Sequence, residues 1–118
     1  MEDIFTFQLD AEAYEKALSG KKNVQLEINN KNKKNFAVGN KITFVCKTEE
    51  KQRQVNATIE NLLYFNTIME AVETLGKESC GFKPNSTFDK ASDAFLSGES
   101  YESIEKFGIV AIIFKIID

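Results

Sequence analysis

Lys22, Gln25 and Glu27, with Gly20 and Lys21 just ahead of them, put donors, acceptors and charge within one short stretch. A lysine ammonium offers three donors, an ionised glutamate only acceptors, and a glutamine amide both. Gln25 and Glu27 alternate with Val24, Leu26 and Ile28. On an extended strand the two polar groups therefore share one face, about 7 Å apart, while the aliphatic set is buried behind them. Such a trio can read the polar edge of a nucleobase. Lys22 could also act as a base or nucleophile if burial lowered its pKa towards neutrality, an effect that Glu27 would oppose by stabilising the ammonium. The rival reading is an exposed Lys22–Glu27 ion pair beside a solvated Gln25, which would contribute well under ~1 kcal/mol.

A second group is electrostatic. The net charge of -3 hides an uneven distribution: residues 15–53 carry ten bases against four acids, and acidic stretches flank them. The run from Asn29 to Asn35, NNKNKKN, concentrates Lys31, Lys33 and Lys34 next to Phe36. It reads either as a patch that steers phosphate from a distance or as a solvated loop. Most of the ten phenylalanines and three tyrosines fall in apolar registers. Phe36, Phe82 and Tyr101, beside loops, are the candidates for stacking on unpaired bases.

Several chemistries are excluded. The chain has no histidine, so neither a Ser-His-Asp nor a Cys-His-Asn relay can form. Cys46 and Cys80, 34 positions apart without CxxC spacing, supply neither a zinc ribbon nor a dithiol redox pair, and read as small buried hydrophobes. No metal or other cofactor is expected. The N-terminus opens on Glu2 and Asp3 rather than on basic residues, and no apolar run approaches the ~20 residues of a membrane span. The expectation is a cytoplasmic protein with no membrane association, formed as a single domain over residues 1–118 of which 42% are hydrophobic.

The elements that must position these residues are legible from periodicity. Phe5, Phe7 and Leu9 alternate along a first strand, and Asp10 caps a helix over Ala11 to Ser19 that Gly20 ends. That helix should bury Tyr14, Ala17 and Leu18. Val24 to Ile28 forms a second strand, Val38-Gly39-Asn40 a turn, and Ile42, Phe44 and Cys46 the inner face of a third. Val55, Ala57 and Ile59 mark a fourth strand, whose alternation gives way to a continuous apolar run at Leu62 to Phe65. Thr67 to Glu70 fits a capping box for a helix ending at Gly76, with Ile68, Met69, Val72 and Leu75 in the core. A further helix is predicted from Ser86 or Thr87 through Leu96, and a helical turn over Ser100 to Lys106. Ile109 to Ile117, apolar on both faces, belongs in the middle of a sheet or in the closing strand of a small barrel.

Three separated strings, ALSGKKNVQLEI at Ala17 to Ile28, FAVGNKITF at Phe36 to Phe44 and EKFGIVAIIF at Glu105 to Phe114, resemble the ASCH domain family, which is similar in fold to the PUA RNA-binding domain. The resemblance implies an α+β, PUA-like small barrel of about five or six strands with three or four packed helices. It also implies a cleft for RNA or a nucleotide, lined by the motif GxKxxExR. Gly20 and Lys22 match that motif; Gln25 stands at its glutamate and Glu27 at its arginine. An arginine fork suits phosphate, whereas Glu27 repels it. One branch of the family is similar to amidohydrolases of N4-acetylcytidine. By that resemblance Lys22 would be the catalytic lysine, Gln25 falls where a threonine is expected, and either Glu70 or Glu73 would be the glutamate. The reading that follows is a non-catalytic binder of RNA or a nucleotide-like small molecule, with Gly20, Lys21, Lys22, Gln25 and Glu27 at the ligand and Lys31, Lys33, Lys34 and Phe36 steering it. The alternatives are that amidohydrolase activity or a module with a protein partner.

Overall fold

The computed structural model describes residues 4–29, 36–82 and 108–117. In chain order these form β1 (Ile4–Gln8), α1 (Ala11–Ser19), β2 (Val24–Ile28), β3 (Lys41–Lys47), β4 (Gln52–Phe65), α2 (Ile68–Leu75) and β5 (Ile109–Ile116). The strands make one sheet in the order β1-β3-β4-β5-β2. β1 runs parallel to β3, and the other pairings are antiparallel. The sheet curls into a half-barrel. Among the described residues it ends at β1 on one side and β2 on the other, so the expected barrel is not closed by a β1–β2 pairing. Two helices are described; the predicted helix over 86–96, the turn over 100–106 and Tyr101 lie outside the described residues, as do Lys31, Lys33 and Lys34. Among the described residues no helix is long and apolar enough to cross a membrane.

Two apolar clusters occupy the two faces of the sheet. One gathers Phe7, Phe44, Ile42, Ile59 and Ile112 under Tyr14 and Ala17 of α1. The other gathers Val24, Leu26, Ile28, Ile109 and Ala111 under Ile68, Ala71 and Val72 of α2. β5 feeds both, with Val110, Ile112 and Phe114 on the first face and Ile109 and Ala111 on the second, which explains why its sequence is apolar throughout. Neighbouring β4 changes allegiance midway. Its register steps from Ile59 opposite Phe114 to Asn61 opposite Ile113, so Glu60 is the extra residue of a bulge. Before it, the odd positions Val55, Ala57 and Ile59 face the α1 cluster; beyond it, the odd positions Leu63 and Phe65 pack on the α2 cluster.

Two predicted core residues are corrected. Leu18 is 38% and Met69 48% exposed, and Ala71 is fully buried. The inward stripe of α2 is Ile68, Ala71, Val72 and Leu75, the i, i+3, i+4, i+7 set that one side of a helix presents. The caps stand as expected. Asp10 accepts a hydrogen bond from the Ala13 amide at 2.8 Å, and Gly20 ends α1 at φ +83. Thr67 accepts from the Glu70 amide at 3.1 Å, and its hydroxyl bonds the Glu70 carboxylate at 3.3 Å.

Candidate functional site

The aliphatic residues of β2 look towards α2, so Gln25 and Glu27 project to the α1 side of the sheet, opposite Ile112 and Val110 of β5. Both are half-buried. Their approach is set by the end of α1. Gly20 turns the chain with its amide on the Ala17 carbonyl (3.3 Å), and the Lys22 amide then reaches back to the Lys16 carbonyl at 3.0 Å. The return leaves Lys21 exposed and drives Lys22 inward, where it is 5% exposed and the sole buried charged residue among those described.

The second wall comes from far along the chain. After α2 the segment 76–82 folds on itself, with Gly81 donating to Glu78 at 2.9 Å and Phe82 to Lys77 at 2.8 Å. It docks on the start of β2, because the amides of Asn23 and Val24 both donate to the Ser79 carbonyl, at 3.1 and 3.0 Å. The Lys22 ammonium ties the two segments together, donating to the Val24 carbonyl at 2.6 Å and to the Cys80 carbonyl at 3.2 Å. Gly81 covers the lysine stem at φ +92, and a Cβ there would stand 3.0 Å from Lys22 Cδ and 3.1 Å from its Nζ. Cys80 and Gly81 are thus the residues that sequence reasoning missed. Cys80 acts through a backbone carbonyl, which no side-chain pattern advertises; a glycine beside a cysteine between two predicted helices is the available signal.

Between these walls lies a recess of about 270 Å³, bounded by Asp10, Lys22 and Gln25 on its polar side and by Leu9, Leu26 and Phe82 on its apolar side. Glu27 lies on the same strand face but not in the wall. The Gln25 Oε1 is buried and has no hydrogen-bond partner among the described residues, which costs about 1–3 kcal/mol for a buried acceptor. Burial pushes the Lys22 pKa down to about 8, against the opposing pull of Cys80, Glu27 and Asp10. Burial likewise pushes the Cys80 thiol up to about 11, with Lys22 acting against it. A second hollow of about 290 Å³ lies on the other side of Lys22, where Gly20, Asn23, Glu60 and Lys115 bound it.

The structure therefore brings Lys22 and Gln25 together at one recess, with Gly20 at the neighbouring hollow. It does not make Lys22 an exposed ion-pair partner, because Lys22 is 5% exposed and its ammonium donates to two backbone carbonyls. Phe36 packs edge-on to Phe5, ring centroids 4.6 Å apart, and 6.1 Å from Phe7. Phe36 thus packs against the α1-side cluster, and Phe82 is the aromatic that lines the recess. Glu70 serves the α2 cap, and Glu73 is exposed on the same helix. Both cysteines are buried and free. Among the described residues no three His, Cys, Asp or Glu side chains are placed to hold a metal.

The sequence matches no protein-family model and none of the curated proteins. Its structure is similar to that of the hypothetical protein PH0355, with a TM-score of 0.76 at 16% identity, covering 98% of this chain and 100% of that one. It is similar also to ASCH from Zymomonas mobilis, with a TM-score of 0.66 at 13% identity, covering 95% of this chain and 66% of that one. A third likeness is to the ASCH domain from Lactobacillus crispatus JV V101, with a TM-score of 0.59 at 16% identity over 97% of this chain and 79% of that one. At these identities the likeness concerns the fold, which is that of ASCH domain proteins.

Proposed function

We propose that this chain, built on the fold of ASCH domain proteins, binds RNA or a nucleotide-like ligand at the recess beside Gly20–Glu27 without catalysing a reaction on it. One observation carries the reading: Gln25, whose Oε1 has no hydrogen-bond partner among the described residues, and buried Lys22 both line an apolar-backed hollow of about 270 Å³, just under the roughly 300–1,000 Å³ of ordinary ligand sites. Phe82 supplies an aromatic wall, and exposed Lys21 next to Lys22 supplies a cation for phosphate. Lys31, Lys33 and Lys34 add long-range attraction in this reading.

Titration with short single-stranded RNAs at low salt tests it. The expected result is saturable binding that weakens as salt rises, through counterion release, and that weakens further in Lys21→Glu. No saturable signal at low salt would overturn it.

A second reading rests on the Lys22 pKa of about 8, since a lysine brought near neutrality can act as base or nucleophile. Gln25 supplies no hydroxyl, and Glu70 is engaged with Thr67. Incubation with N4-acetylcytidine decides: deacetylation that is lost in Lys22→Met would establish the enzyme, and none above background removes it.

A further inference from the structure

Three facts about the recess limit what can enter it. First, its charge is wrong for an anion. Lys22 is the cation in its wall, the Asp10 carboxylate is part of the same wall, and Glu27 and Asp10 both lie close enough to pull on the lysine's protonation. With the Lys22 cation and the Asp10 carboxylate in one wall, the recess offers no net positive charge to draw a phosphate in.

Second, one donor is left over. Among the described residues Lys22 spends its ammonium on the Val24 and Cys80 carbonyls; an ammonium has three N–H groups, so one remains to meet an acceptor. Third, one acceptor is left over among the described residues, the Gln25 Oε1. The terminal torsion of a glutamine is broad and roughly two-fold, so the amide can turn its oxygen into the hollow once a donor arrives there. A leftover donor and a leftover acceptor, backed by Leu9, Leu26 and Phe82, are complementary to a flat, uncharged edge that carries an acceptor beside an N–H.

We propose that the recess takes the amide-like edge of a nucleobase and excludes phosphate, with Gln25 as the residue that selects for that edge. This rests on the nucleotide-binding reading above and divides its labour: the base enters the recess, while backbone phosphates stay outside with Lys21.

The test uses the intact chain and three probes: a short single-stranded RNA, the neutral nucleosides cytidine and uridine, and inorganic phosphate. The expected pattern is that a nucleoside displaces the RNA, that its own binding changes less than two-fold between low and moderate salt, and that phosphate at the same concentration displaces nothing at the recess. Gln25→Leu is expected to weaken nucleoside binding at least ten-fold while leaving the melting temperature equal to or above that of the parent, since it removes a buried unsatisfied acceptor. A residue with only a structural role would do the reverse. RNA binding that ignores nucleosides and is unchanged in Gln25→Leu would overturn this inference and leave the RNA-binding reading standing. Phosphate that competes with nucleoside would also overturn it. No binding of any probe would sink both.

Discussion

Lys22 and Arg53 are both cations attached to α1, and they are held in opposite ways. Lys22 follows the C-terminal end of the helix, is 5% exposed and is pinned by two backbone carbonyls, so its pKa falls to about 8. Arg53 of β4 lies on the outside, hydrogen-bonded to Glu15 with its guanidinium 4.8 Å from the centroid of the Tyr14 ring, and the Glu15 contact pushes its pKa up. One cation has been stripped of water and given carbonyls in exchange; the other keeps its water and gains a carboxylate. Residue type alone therefore says little about chemistry. What distinguishes Lys22 is its surroundings, which hold a charge at some cost next to a hollow, whereas Arg53 decorates a surface.

The contrast can be broken first by pH. The folded pKa of Lys22, about 8, lies below its ordinary value of 10.5. Between those values the unfolded chain holds a proton that the folded chain has lost, so stability rises with pH across that window. Relative to Lys22→Met, the parent should gain about 3 kcal/mol between pH 7 and pH 10.5, at 1.36 kcal/mol per unit, as read from denaturant melts of both proteins. Cys80 works the other way: its folded pKa of about 11 exceeds the ordinary 9.0, so its contribution falls as pH rises from 9 to 11. Both proteins carry that thiol, so its contribution enters the difference only through its coupling to Lys22. A pH-independent gap would mean that Lys22 is solvated like Arg53.

Next in size is Gly81→Ala. The φ of +92 and the 3.0 Å approach to Lys22 Cδ together predict a loss of about 1–3 kcal/mol, with the lysine stem displaced and ligand binding weakened in the same variant. An alanine that melts with the parent would show that the 76–82 segment does not press on the lysine. The smallest effect belongs to Arg53→Gln, for which a slightly lower melting temperature than the parent's is expected, the deficit diminishing in high salt as for any exposed pair. Ligand binding should be untouched. A large loss of binding in that variant would erase the distinction between the two cations.

Much of the fold was readable because its signals are local. Asp10, Gly20, Thr67 and Gly76 sit at helix ends as caps, and alternation alone places Gln25 and Glu27 on one face with the aliphatic set on the other. Leu18 and Met69 were misplaced because helical spacing defines a stripe only to within about one position; small Ala71 won the place that larger Met69 was expected to fill. The site was half legible. The composition of the Gly20–Glu27 stretch marked it, but the burial of Lys22 depends on a carbonyl 58 residues away and on a glycine whose only signature is the space it leaves. Contacts of that span have no periodicity to betray them.

The bulge in β4 has a bearing on how this chain can change over time. Up to Ile59 every second residue belongs to one core, and past Glu60 the same phase belongs to the other. A relative that has lost that single residue must carry its apolar side chains one step out of phase from there on, or turn both cores inside out. Gains and losses of two residues would be tolerated where one is not. Column-by-column comparison of distant sequences, unless it opens a gap at that point, will score kindred strands as unrelated.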